Sequence, residues 1–299
     1  MKRTIRTALA VLCLLGAAPT ARACSLCRCD DPATSITGNS LFVVRSWRAS
    51  FETEVFRKDQ AGEDDPSLRE RETETRYTLS GTWTPIAHLS LVGRLPWSAR
   101  RIDSGAELQR RSGLGDPELL ANWRVYQQQG VAHPLWVTVQ AGARAPWGPN
   151  DLEANGVRLD EHLQPGTGAA GGVAALSLFT RVGERDVAYA TTTARVNGTN
   201  RHGYRYGDAW ISTVAWQREL RPSAQAGLEL TWRDAGSDRE SDQLVSATGG
   251  RVLYLTPRAQ LHVAPRVALR LGVQAPIARD LHGDQRELTN FQSSVVLLP

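Results

Sequence analysis

The stretch Leu89-Ser-Leu-Val-Gly-Arg-Leu-Pro-Trp97 sets Leu89, Leu91, Gly93, Leu95 and Trp97 on one face and Ser90, Val92 and Arg94 on the other. Successive side chains of an extended chain point to opposite sides, so this alternation reads as a strand with one oily face. The pattern recurs. Leu119, Ala121, Trp123 and Val125 alternate with Glu118, Asn122, Arg124 and Tyr126; Leu135, Val137, Val139, Ala141 and Ala143 alternate with Thr138, Gln140 and Arg144. Further on, Leu228, Leu230 and Trp232 alternate with Glu229, Thr231 and Arg233, and Val267, Leu269, Leu271, Val273 and Ala275 with Arg270 and Gln274. Almost nothing carries the 3.6-residue period of an amphipathic helix, so the chain is expected to be all-β.

An oily strand face packs either against a second sheet or against lipid, and periodicity alone leaves both open. The connections separate them. Strands are expected at 40–56, 70–83, 88–97, 114–126, 134–145, 168–181, 186–197, 207–219, 224–233, 246–263, 267–276 and 288–298. Every second joint is short, as at Thr84 to Ala87, Val182 to Arg185 and Ala264 to Arg266, whereas Arg57 to Arg69, Ser98 to Gly113, Pro146 to Thr167 and Asp234 to Val245 are long and hydrophilic. This predicts an up-and-down antiparallel transmembrane β-barrel of about 12 strands, with short periplasmic turns, long extracellular loops and both ends on the short-turn side. Arg94, Arg124, Arg144, Glu229 and Arg270 would then line the lumen. Three mixed segments, 168–181, 186–197 and 207–219, place Trp210, Val214 and Trp216 on a face with Arg218, a composition suited to filling a narrow lumen. Trp97, Trp147 and Trp232 near strand ends suit an aromatic girdle.

Lys2, Arg3 and Arg6, the apolar run from Ala8 to Ala18, and Ala21-Arg22-Ala23 form a cleavable secretory signal, so residues 1–23 are expected to be removed. The apolar run falls well short of the ~20 residues that span a bilayer as a helix. Four of the 35 basic residues leave with it, so the remaining 31 match the 31 acids and the overall charge of +4 belongs to the leader. A near-neutral chain whose one remaining lysine is Lys58 lacks the basic stripe that nucleic acid requires. The mean hydropathy of −0.33 and the absence of long apolar runs exclude a helical membrane protein. The expected organisation is a cysteine-rich periplasmic segment at 24–39 followed by an outer-membrane barrel at 40–299, with membrane lipid and a small-molecule solute as partners.

The run Gly113-Leu-Gly-Asp-Pro-Glu-Leu-Leu-Ala-Asn-Trp-Arg-Val-Tyr126 resembles the GLGD-led strand of the outer-membrane transporter-like family named for the meta-pathway of phenol degradation. Arg94-Leu-Pro96, Ala141 to Gly148, Gln164-Pro-Gly-Thr-Gly168, Tyr206-Gly-Asp208, Gly249-Gly250, Leu255-Thr-Pro257, Ala275-Pro276 and His282-Gly-Asp-Gln285 follow in that family's order. The resemblance spans roughly residues 75 to 290 and consists of turn and strand-end punctuation. It implies a barrel passing small hydrophobic or aromatic compounds, without catalytic residues. The departure is at the end, Val295-Val-Leu-Leu-Pro299, where such barrels usually finish on an aromatic residue; Phe291 stands earlier in the strand.

Beyond the leader the cysteines are Cys24, Cys27 and Cys29. Three thiolates so close together suit one soft cation, Cu(I) or Zn(II); a disulfide with one free thiol and lipidation of Cys24 remain alternatives. The histidines His162, His202 and His282 fall in loops and read as solvated, and no nucleophile and base pair suggests an enzyme. The functional expectation is a passive channel. The alternative is a non-transporting barrel, or a soluble periplasmic β-sandwich, that presents the cysteine segment to a metal or redox partner. Intact mass of the exported protein is expected to match a chain beginning at Cys24; a mass retaining residues 1–23 would refute the leader assignment.

Overall fold

The computed structural model describes residues 45–61, 69–105, 108–128 and 134–298. Cys24, Cys27 and Cys29 lie outside the described residues.

Twelve antiparallel strands form one closed sheet. In chain order they are β1 (Ser46–Ala61), β2 (Arg69–Ile86), β3 (Leu89–Asp103), β4 (Leu108–Leu114 continuing as Glu118–Gln128), β5 (Leu135–Arg144), β6 (Gly171–Val182), β7 (Asp186–Asn197), β8 (Ala209–Arg221), β9 (Ala224–Ala235), β10 (Gly250–Ala264), β11 (Val267–Leu281) and β12 (Gln285–Glu287 continuing as Asn290–Leu297). Each strand pairs with its sequence neighbours, and β12 closes on β1 in a register running from Ala49 opposite Leu297 to Lys58 opposite Glu287. A closed single sheet is the barrel that the turn-by-turn succession of short and long joints predicted, and it rules out the soluble two-sheet sandwich. Both described ends of the barrel, Ser46 and Leu297, lie at the short-turn end.

The period-two pattern sorts the wall. Exposed apolar side chains face out from successive strands: Leu79 and Trp83 from β2, Leu95 and Trp97 from β3, Leu119 and Trp123 from β4, Val139 from β5, Leu228 and Leu230 from β9, Leu271 and Val273 from β11, and Val295 from β12. Outward aromatics pair across strands, Trp47 opposite Trp83 toward the short turns and Tyr77 opposite Trp97 toward the long loops. Trp232 also faces out, Trp147 lies exposed in the loop after β5, and Trp136 packs inside the barrel with its ring 5.0 Å from Phe179.

The mixed segments resolve differently from the expectation that their apolar side chains would fill the lumen. Val214 and Trp216 are exposed on the outer wall of β8, while Ala209, Ile211, Thr213 and Ala215 are buried inside. The half-exposed Arg218 ends that outer row near the short turns, where its guanidinium can reach the interface.

Several strands run beyond their expected limits, β1 to Ala61, β3 to Asp103 and β11 to Leu281. The extensions carry polar residues on both faces, such as Arg101 and Asp103 pointing away from Arg100 on β3, so no hydropathy contrast betrays them. The expected long loop Ser98 to Gly113 is consequently a paired hairpin, with Asp103 opposite Leu108 and Trp97 opposite Leu114.

Little of the interior is apolar. Leu120, fully buried, packs with Val92 and Val173, and Gly142 makes the room: a Cβ there would stand 2.4 Å from the Leu120 Cδ2. Leu119, its neighbour, is 66% exposed on the outer wall. Leu119→Arg is therefore expected to destabilise the refolded protein in lipid vesicles by ~2–4 kcal/mol, the cost of a cation near the middle of the apolar band. Urea unfolding measures it, and an unchanged midpoint would deny that this surface meets lipid.

Candidate functional site

Most of the larger inward side chains are polar or charged, with apolar clusters at Val92, Leu120 and Val173 and at Phe179 and Tyr189, so the candidate site is the lumen itself. Ion pairs cross it. On β1 to β3, Glu74 accepts from Ser98 at 2.8 Å and pairs with Arg76 at 3.1 Å and Arg100 at 3.4 Å, and Arg76 lies 3.8 Å from Glu54. On β9 and β10, Glu229 takes both arms of Arg258, at 2.9 and 3.0 Å, and the Tyr189 hydroxyl at 2.6 Å. Arg233 reaches across from β9 to Glu287 on β12, which also accepts from Tyr254. Such pairs are needed because a lone charge held in a narrow, lipid-jacketed lumen is costly, whereas a paired and hydrogen-bonded one is tolerated.

Four of the five residues read from the sequence as lumen-facing are in this interior. Arg94 pairs with Glu118 at 2.9 Å, Arg144 hydrogen-bonds Asn197 at 2.8 Å, Glu229 holds Arg258, and Arg270 donates to Gln260 at 2.8 Å. Arg124 stands nearer the short turns and donates to Gln127 at 2.7 Å. The structure does not bring the five together; each belongs to a different local network. Sequence reading passed over Glu54, Glu72, Glu74, Arg76, Arg100, Arg195 and Arg258. The signal was present in Arg69-Glu-Arg-Glu-Thr-Glu-Thr-Arg76, whose inner face is wholly charged, but its outer face carries Thr73 and Thr75 instead of an apolar row.

The loops carry the second half of the site. The Asp116 carboxylate, where β4 breaks, accepts the Gly148 N–H at 2.9 Å, the Thr167 N–H at 2.8 Å and the Thr167 hydroxyl at 2.6 Å. Gly148 and Gly166 lie backbone to backbone there, and a Cβ on Gly148 would stand 2.6 Å from the Gly166 Cα. Three of the short motifs in the sequence thus meet at one carboxylate. Gln285 likewise ties its own loop to another, donating to the Gly249 and His282 carbonyls, each at 2.7 Å.

This fastening folds residues 145–170 inward, with a single 3-10 turn at Glu161–Leu163 whose residues are all buried. His162, expected to be solvated, is 8% exposed. Its carbonyl accepts from Arg100 at 2.6 Å and its Nδ1 lies 3.8 Å from Glu72, both on the β2–β3 side of the ring. Its Nε2 lies 3.2 Å from the Tyr204 hydroxyl and 3.5 Å from Asp238, on loops rising from the far side. The turn therefore bridges the long-loop mouth. Below it, mid-lumen cavities of about 30 and 20 Å³ lie among the ion pairs, and a vestibule of about 270 Å³ lies at the short-turn end, lined in part by Phe179, Val187, Gln217, Gln260 and Arg270.

The barrel is similar to the crystal structure of an outer membrane channel from Pseudomonas putida F1, with a TM-score of 0.67 and 14% identity over 87% of this chain and 98% of that one. Fainter likenesses are to the translocator domain of the autotransporter NalP from Neisseria meningitidis (TM-score 0.49, 9% identity, 89% and 90% covered) and to the toluene transporter TodX from P. putida (0.41, 9%, 88% and 94%). No protein-family model and no curated protein matches the chain, so the likeness to the phenol meta-pathway family stays a resemblance. The strongest of these comparisons speaks to the fold: this is an outer-membrane-type β-barrel.

Burial alone would raise the Asp238 carboxyl, yet the partners His162 and Tyr204 and the Gly207 N–H hold it below the ordinary carboxylate range. A depressed carboxylate contributes stability that is present above its unfolded pKa of ~3.9 and is lost as pH falls through the lower folded value. Amides in loops 198–208 and 236–249 are thus expected to be protected at neutral pH relative to their intrinsic exchange rates, and to lose that protection only in strong acid. Asp238→Asn should exchange faster already at neutral pH, and a variant as protected as the parent would contradict the bridge.

Proposed function

We propose that the protein is a passive outer-membrane channel for small solutes, with its short turns in the periplasm, its long loops outside and the loop of residues 145–170 restricting the outer mouth. One observation carries this reading: an apolar outer wall encloses a lining rich in charged and polar side chains, with a vestibule of about 270 Å³ at the short-turn end. Arg94, Arg144, Glu229 and Arg270 form the wall along which a solute moves, and Arg124 stands by the inner opening. Charged walls pass polar and ionic solutes by replacing their hydration shell. A hydrophobic or aromatic solute, as the family resemblance implies, would find its apolar contact in the vestibule region, where Trp136, Phe179, Tyr189 and Val187 cluster.

Narrow cavities among the mid-lumen ion pairs support a second reading, a barrel that conducts nothing and holds the segment 24–39 at the periplasmic mouth for a metal or redox partner. Planar-bilayer recording separates them. The channel reading expects small unitary conductance that rises several-fold when residues 150–164 are replaced by a short Gly-Ser turn. A barrel silent in both forms would overturn it, and metal bound by the parent but not by a Cys24, Cys27 and Cys29 to Ser variant would then favour the second.

A further inference from the structure

In the middle of the lumen, Arg94, Arg144 and Arg195 line a cavity of about 20 Å³ together with Asp116 and Glu118. Both carboxylates are already heavily engaged. Glu118 accepts from Arg94 at 2.9 Å through one oxygen and from Arg195 at 2.7 Å through the other. Asp116 is taken up by three donors from Gly148 and Thr167, and the Arg144 Nε forms an ion pair with its Oδ2 at 3.8 Å, beyond hydrogen-bond reach. Arg76, which also borders the cavity, is occupied by Glu74 at 3.1 Å. Among these five groups three guanidiniums face two carboxylates. Arg144 is 5% exposed and spends one arm on Asn197, while its buried Nε has no hydrogen-bond partner.

A buried N–H left without a hydrogen-bond acceptor, in a cavity lined by more guanidiniums than carboxylates, is a costly arrangement that a bound anion relieves. The available space exceeds the ~10–15 Å³ that holds one water-sized particle but leaves no room for an organic acid. We propose that this cavity is a binding site for a single small inorganic anion, a chloride-sized halide, held by the Arg94, Arg144 and Arg195 guanidiniums and accepting the Arg144 Nε–H. The bound anion satisfies the Arg144 Nε–H inside the folded wall. The site stands whether or not the barrel conducts, since its occupancy belongs to the folded wall.

The test uses the full chain refolded in detergent micelles. Thermal unfolding is followed in sodium chloride and sodium bromide against sodium gluconate and sodium acetate at matched ionic strength, so that general screening cancels. The expected result is a saturable rise in Tm with chloride and bromide, none with gluconate or acetate, and loss of the rise in Arg144→Gln. An equal rise with acetate, or a rise retained in Arg144→Gln, overturns the proposal. Should that variant fail to fold, crystals of the unsubstituted protein grown in bromide decide the matter. An anomalous peak within hydrogen-bond distance of the Arg144 Nε supports the site, and density without one refutes it.

Discussion

A backbone crossing lipid has no water to satisfy its N–H and C=O groups, and the rest of this structure depends on how that requirement is met. The answer is closure. When β12 pairs with β1, from Ala49 opposite Leu297 to Lys58 opposite Glu287, no strand edge remains in the wall. Closure then fixes the meaning of every side chain by parity, since odd and even neighbours along a strand face lipid and lumen. Leu119 and Leu120 show how sharply this acts, one on the outer wall and the other fully buried beneath it.

The same parity creates the electrostatic problem inside. A twelve-strand ring is narrow, and the inward positions of β1 to β5, β7 and β9 to β12 bring carboxylates and guanidiniums within a few ångströms of one another. Glu74, Glu118, Glu229 and Glu287 each serve more than one donor, so the lining is built as connected networks in place of isolated pairs. Networks of this kind stiffen the wall and leave little free volume in the mid-section, while a larger vestibule lies at the short-turn end, where Gln217, Gln225 and Gln260 stand among charged side chains such as Arg181 and Glu184.

The loops extend that logic above the membrane. Asp116 uses its two oxygens to gather three donors from two distant segments, and Gln285 does similar work for the loops after β9 and β11. With their backbone groups satisfied, residues 145–170 fold over the mouth, and His162 reaches both sides of the ring. The glycine-rich motifs are thus fasteners: Gly148 and Gly166 are glycines because two backbones touch, a reason distinct from turning the chain.

Much of the barrel was legible because alternation with period two is a local property, and Leu89 to Trp97 displays it without reference to any other segment. Most strands and the inward aim of Arg94, Arg144, Glu229 and Arg270 follow from it, and the lengths of the joints between them give the up-and-down barrel and the shared end of the termini. Where both faces are polar, as in Arg57 to Gln60 and Arg100 to Asp103, the local signal vanishes and the strands outran their expected ends. In β8 parity alone was insufficient to say which mixed face met lipid, and Trp216 proved to be outside. By itself, then, the sequence determined the strands, their order and most of the wall's two-sidedness, since these depend on neighbours along the chain. Only the tertiary structure decided which charges pair, that His162 is buried across the mouth, and that Arg144 keeps an unmatched N–H, because those facts depend on which strands closure sets side by side.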